Sequence, residues 1–148
     1  MTRNRWILLA TLGSVALLAG AFIFQALGYA PCKLCYWQRY PHGAAIAIGV
    51  SALLTGWLVW PWLGAAAAAA TSALGVYHTG VEMKWWLGPT TCSSGDLSAI
   101  TMEDILNAPL VRCDEVAWAL FGVSMASWNA LISAVLVLIW LKAALTKV

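Results

Sequence analysis

Residues 40–81, YPHGAAIAIGVSALLTGWLVWPWLGAAAAAATSALGVYHTGV, run for 42 positions without an Asp, Glu, Lys or Arg. A helix crosses the hydrocarbon core of a bilayer with roughly 20 apolar residues, so this run is too long for one span and long enough for two. The divider is Trp60-Pro61-Trp62, because proline ends a helix and tryptophans favour the membrane–water interface. Outward from it, residues 6–32 and 116–141 are also free of charge, over 27 and 26 positions. Each of these holds one further span. The expected fold is an all-α, four-helix transmembrane bundle built as a single integral-membrane domain, residues 1–148. Its spans fall at about 7–28, 42–60, 62–80 and 119–140, with loops at about 29–41 and 81–118.

Composition supports this reading. Of 148 residues 62% are hydrophobic and 9% charged, whereas soluble domains carry about 25% charge. A net charge of +2 is too small and scattered for a nucleic-acid partner. Arg3 and Arg5 before an apolar run, with the small residues Leu18-Ala19-Gly20-Ala21, also resemble a signal peptide. The uncharged run is longer than the 7–15 residues of a signal core, which favours a span. The run Ala65 to Ala70 reads as a close-packing face. Trp118 and Trp140, 22 positions apart, read as the two interface anchors of the last span.

Four spans place both termini on one side and the first and third loops on the other. Basic residues do not choose between the sides: Arg3, Arg5, Lys142 and Lys147 balance Lys33, Arg39, Lys84 and Arg112. The two arginines preceding the first span favour cytoplasmic termini.

All four cysteines then lie in the non-cytoplasmic loops, an oxidising location. Cys32-Lys33-Leu34-Cys35 is a C-x-x-C pair, and Cys92 and Cys113 are 21 positions apart. Two structural staples, or one zinc site with four cysteine ligands, are the plain alternatives. Zinc ordinarily takes two closely spaced pairs and here only one is close, so no metal is expected. Haem attachment is excluded because Tyr36 stands where C-x-x-C-H needs histidine. The tight C-x-x-C ring makes an exchangeable disulfide and a poor clamp on chain entropy. On a helix Arg39 lies four residues after Cys35, on the same face, where its charge favours a thiolate; otherwise it is an interfacial anchor.

These residues resemble the DsbB family of bacterial inner-membrane disulfide-generating oxidoreductases. The matches are Pro31-Cys32-Lys33-Leu34-Cys35-Tyr36-Trp37-Gln38-Arg39-Tyr40, Tyr77-His78-Thr79-Gly80-Val81-Glu82 leading to Gly88-Pro89 and Cys92, and Cys113-Asp114 followed by Trp118, Phe121-Gly122, Ser124-Met125 and Trp128-Asn129. The resemblance implies a thiol:quinone oxidoreductase of the inner membrane. It would reoxidise a periplasmic thioredoxin-like protein of the DsbA type and pass two electrons to a membrane quinone, ubiquinone ahead of menaquinone. By position, Cys92 is implied to form the mixed disulfide with the partner and Cys113 to be its mate. Cys32 and Cys35 are implied to face the quinone, with Cys35 as the thiolate beside the ring and Arg39 stabilising its charge. A partner as oxidising as about −120 mV requires a still stronger acceptor, which agrees with a quinone. The Cys92 to Cys113 interval is short for the family.

His78 reads either as a quinone hydrogen-bond partner or as a polar group paired with another span. His42 is a weaker candidate of the same kind, and Glu82 a solvated loop residue. Ser94 or Asp96 caps a short helix at about 97–107, followed by Pro109, with the apolar side of an interfacial helix. Trp118, Met125 and Trp128 share one face and read as bundle core. A vitamin K epoxide reductase type is similar but carries its C-x-x-C on a late span. A disulfide-stapled scaffold without turnover is the non-enzymatic alternative.

Overall fold

The computed structural model describes residues 1–89 and 111–146. Among them are four helices, α1 (Arg3–Ala26), α2 (Lys33–Thr55), α3 (Trp60–Glu82) and α4 (Met125–Leu145). A two-stranded antiparallel hairpin, β1 (Ala119–Leu120) and β2 (Val123–Ser124), precedes α4. Cys92 and the expected helix at 97–107 lie outside the described residues.

Local chemistry sets the helix ends. Gly28, at φ +99°, turns the chain out of α1. Cys32 then caps α2, its Sγ accepting from the Cys35 amide at 3.3 Å, so the helix begins at the C-x-x-C, ahead of the span expected from residue 42. Pro41 therefore sits inside a helix. It has no N–H for the Trp37 carbonyl, and beside it the Gln38 carbonyl accepts from Thr71 Oγ1 of α3 at 3.0 Å. The break between α2 and α3 falls at Gly56, a left-handed C-cap, rather than at Trp60-Pro61-Trp62. Pro61 starts α3 instead of stopping α2, because the first turn of a helix has no use for the missing N–H.

The last helix also differs from expectation. It starts at Met125, because Phe121 and Gly122 adopt φ of +53° and +75° and close a two-residue hairpin. Ser124 then caps α4 by accepting from the Ser127 amide.

The helices pack through small residues. Ala10, Ala52, Ala65, Ala68 and Ala143 form a buried cluster with Ile7, Leu136 and Trp140. A Cβ on Gly75 would stand 2.9 Å from the Ala130 amide nitrogen, so α3 and α4 touch backbone to backbone. Trp140 is fully buried against Gly64 and is a core residue, not the interfacial anchor its spacing from Trp118 predicts. Its ring fills the space that glycine leaves.

Burial is inverted relative to a water-soluble bundle. Thr11, Ser14, Gln38, His42, Thr71, His78 and Ser133 are buried, whereas Leu8, Leu12, Phe22, Ile23, Val135 and Leu138 are exposed. An apolar exterior of this extent suits a membrane. Helices α1 and α4 are long and apolar enough to cross one. Arg3 is buried and donates to the Gly56 and Trp57 carbonyls at 3.0 and 2.6 Å, tying the start of α1 to the α2–α3 turn.

Candidate redox site

The first turn of α2 presents Cys32 and Cys35 as free thiols with Sγ atoms 2.9 Å apart. His78, near the end of α3, brings Nε2 to 3.6 Å from Cys32 Sγ. Cys113 is disulfide-bonded, and it is buried beside Cys32, Leu34 and Val81. The structure thus gathers Cys32, Cys35, His78 and Cys113 at one end of the bundle. Around Cys113, Asp114 accepts from Arg112 Nε and Nη2 at 3.0 and 2.9 Å and from Lys84, which follows α3. The Arg112 hydrogen bonds, then that from Lys84, hold the Asp114 carboxyl well below the usual carboxylate range. Lys84 thereby links the Cys113 segment to the end of α3 through an exposed ion pair.

Behind the thiols lies a chain of polar side chains. His78 Nδ1 accepts from Gln38 Nε2 at 2.8 Å, and Gln38 Oε1 accepts from Asn129 Nδ2 at 2.7 Å. Asn129 Oδ1 accepts in turn from His42 Nε2 at 2.9 Å. His42 and His78 are therefore the two ends of one network across α2, α3 and α4, which the sequence reading treated as separate. Gln38 and Asn129, which the sequence offers only as motif matches without a role, are the links between them. Their signal was present, since an amide inside an apolar run needs a buried partner. Glu82, expected in solvent, hydrogen-bonds Ser124 Oγ, and its side chain is buried. The α4 N-cap supplies the partner that water would otherwise provide.

A cavity of about 430 Å³ opens beside this chain. Leu17 and Phe24 of α1 and Met125, Trp128 and Ile132 of α4 give apolar walls; Cys35, Arg39, His42, His78, Glu82 and Arg112 are among the polar residues that line it. Trp118, Met125 and Trp128 thus line a cavity rather than only a core. Arg39 lies on the Cys35 face as its spacing requires. Its Nη1 donates to Gln25 Oε1 at 2.6 Å and its guanidinium sits 4.9 and 5.0 Å from the Phe22 and Tyr36 ring centres. Its buried Nε has no partner.

A paired dithiol, a second cysteine site packed on it and a largely apolar cavity lined by Arg39 and Arg112 form a frame for thiol–disulfide chemistry. The model of the family described as "Disulfide bond formation protein DsbB" matches residues 3–143. The chain belongs to the DsbB family. It is 32% identical to Disulfide bond formation protein B of Verminephrobacter eiseniae over 154 residues, covering 95% of this chain and 85% of that protein. The protein of the same name from Dechloromonas aromatica is 32% identical over 143 residues, 87% of this chain and 84% of the relative. That of Haemophilus ducreyi is 22% identical over 138 residues, 86% and 77%. No solved structure matches. This DsbB-family chain is accordingly a membrane oxidoreductase acting in disulfide-bond formation.

Proposed function

We propose that the chain reoxidises a periplasmic DsbA-type dithiol protein and passes the two electrons to a membrane quinone, ubiquinone ahead of menaquinone. The observation that carries this reading is the cavity onto which Cys35 and Arg39 both open. Its fit to a quinone rests on the donor set. A flat apolar ring suits the Phe24, Met125 and Trp128 walls, and its carbonyl oxygens need donors, which the Arg39 guanidinium with its unpartnered Nε supplies. A bound quinone would supply the terminal oxidant, taking up two electrons and two protons.

The protein's own residues do the rest. Cys92 forms the mixed disulfide with the partner and Cys113 is its mate. The partner's dithiol becomes a disulfide as the Cys92–Cys113 disulfide becomes a dithiol, and exchange with the Cys32–Cys35 disulfide moves that reducing pair to the cavity. Packing of Cys113 on Cys32 gives this exchange its short path. Arg39 and the α2 N-terminus favour negative charge on Cys35. His78, lining the cavity and touching Cys32, is placed to contact the quinone or hold a proton at Nε2. All four helices cross the bacterial inner membrane as one domain, with cytoplasmic termini and periplasmic cysteine loops.

The test is anaerobic reduction of a ubiquinone analogue by reduced DsbA-type protein, followed by quinone absorbance. Wild type is expected to turn over, Cys92→Ser and Cys35→Ser to be inactive, and Arg39→Ala to lose roughly tenfold or more in apparent quinone affinity, the scale of one lost charge-assisted contact. Turnover that survives Cys92→Ser, or a wild type that leaves quinone unreduced while its cysteines stay oxidised, overturns the reading in favour of a stapled scaffold.

A further inference from the structure

We propose that the reduced form of the Cys32–Cys35 pair is a binding site for a thiophilic divalent cation, Zn²⁺ as the type case, with His78 as third ligand. Cys32 Sγ, Cys35 Sγ and a His78 ring nitrogen lie within 4.8 Å of one another. Zinc takes sulfur at about 2.3 Å and nitrogen at about 2.0–2.1 Å, so tetrahedral ligands stand about 3.6 Å apart for S and N and about 3.8 Å apart for two sulfurs. The Cys32 Sγ to His78 Nε2 distance is already 3.6 Å. The sulfurs, at 2.9 Å, must open by about 0.9 Å.

Charge gives the reason for metal capture. Cys32 and His78 are 5% and 4% exposed. A thiolate there is costly by itself. Two thiolates, a neutral imidazole and Zn²⁺ sum to zero, so the complex carries no net charge into the bilayer end of the bundle. Binding is written Zn²⁺ plus two Cys–SH giving Zn(S–Cys)₂ plus two H⁺. No electron moves, and the disulfide form, having no thiolates, offers no site. Ligating zinc histidines donate their other ring N–H to a fixed acceptor. Here the neighbour is Gln38, whose amide stands 2.8 Å from His78 Nδ1. For it to present Oε1 there, Gln38 and Asn129 both turn end for end and His42 Nε2 becomes the acceptor, since without metal Gln38 Oε1 accepts from Asn129 Nδ2 and Asn129 Oδ1 from His42 Nε2. Glu82 Oε1, 4.0 Å from His78 Nε2, stands beside the fourth position, which water from the cavity completes. The cation is a competitor for the dithiol, not a cofactor: while bound it occupies both sulfurs and arrests disulfide formation.

The experiment uses full-length protein in detergent with Cys92 and Cys113 replaced by serine, reduced with a phosphine and exposed to ZnCl₂. Zinc retained after gel filtration and protection of Cys32 and Cys35 from alkylation are both read. The expected result is one zinc per reduced chain, none per oxidised chain, and affinity weaker by roughly tenfold or more in His78→Ala. CoCl₂ on the unmodified His78 background gives a second reading that needs no folded His78 variant: tetrahedral d–d bands with thiolate-to-cobalt charge transfer. No retained zinc, equal zinc in the oxidised chain, octahedral cobalt spectra, or unchanged affinity in a folded His78→Ala each overturn the proposal. None of these bears on quinone reduction, which is read separately from absorbance.

Discussion

At the residue scale, Asn129 shows how the network is held. It bridges Gln38 and His42 and also lies 3.2 Å from Thr71 Oγ1. Asn129→Ala leaves buried donors and acceptors on two helices without partners, at about 1–3 kcal/mol for each group stranded. Thermal unfolding in detergent is expected to show that loss, together with slower alkylation-sensitive changes at Cys32 as His78 loses its support. Asp114 gives a pH-dependent case. Its folded carboxyl titrates below its unfolded value, so its contribution is complete above about pH 3.9 and declines as pH falls toward the depressed value. The melting temperature of wild type is expected to exceed that of Asp114→Asn slightly at pH 7, with the difference vanishing in strong acid; the effect is small because the pair is exposed and screened. The positions of Arg39 and Cys35 on one helical face were legible from a spacing of four. The pairing of His42 with His78 was not, since Asn129, the link, is 87 positions from His42 and reaches it only through tertiary packing.

At the element scale, helices α1 to α4 were legible as charge-free runs, while their ends depended on chemistry that hydropathy does not record. Cys32 extended α2 backward by capping it, Pro61 began a helix rather than ending one, and the Phe121-Gly122 turn replaced the first turns of the last span with a hairpin. Contact between α3 and α4 depends on the missing side chain at Gly75. Gly75→Ala places a Cβ 2.9 Å from the Ala130 nitrogen and 3.0 Å from the Ala126 oxygen, both backbone atoms that no rotamer change relieves. A loss of about 1–3 kcal/mol is expected, measured by thermal unfolding in detergent, and it should be larger for Gly75→Val.

At the scale of the whole molecule, the arrangement puts Cys32, Cys35 and Cys113 at one end and Arg3, bound to the α2–α3 turn, at the other. A membrane-impermeant maleimide applied to intact spheroplasts is expected to modify reduced cysteines of the 81–118 loop, and to leave a Thr2→Cys variant lacking the native cysteines unmodified until the membrane is broken. Labelling of the Thr2→Cys variant with the loop cysteines protected would reverse the proposed orientation, and equal labelling of both would overturn it. The sequence by itself determined the membrane character, the four long helices among the described residues and the C-x-x-C pair, because these depend on composition, on charge-free length and on a three-residue cysteine spacing. Tertiary structure decided which groups meet: Cys113 on Cys32, His78 on Cys32, Trp128 on the cavity, Trp140 in the core. The physical reason is that apolar periodicity is nearly uniform around each helix of such a bundle, so it does not mark an inner face. The inner face is chosen by glycines that allow close approach and by buried amides and imidazoles that must find one another.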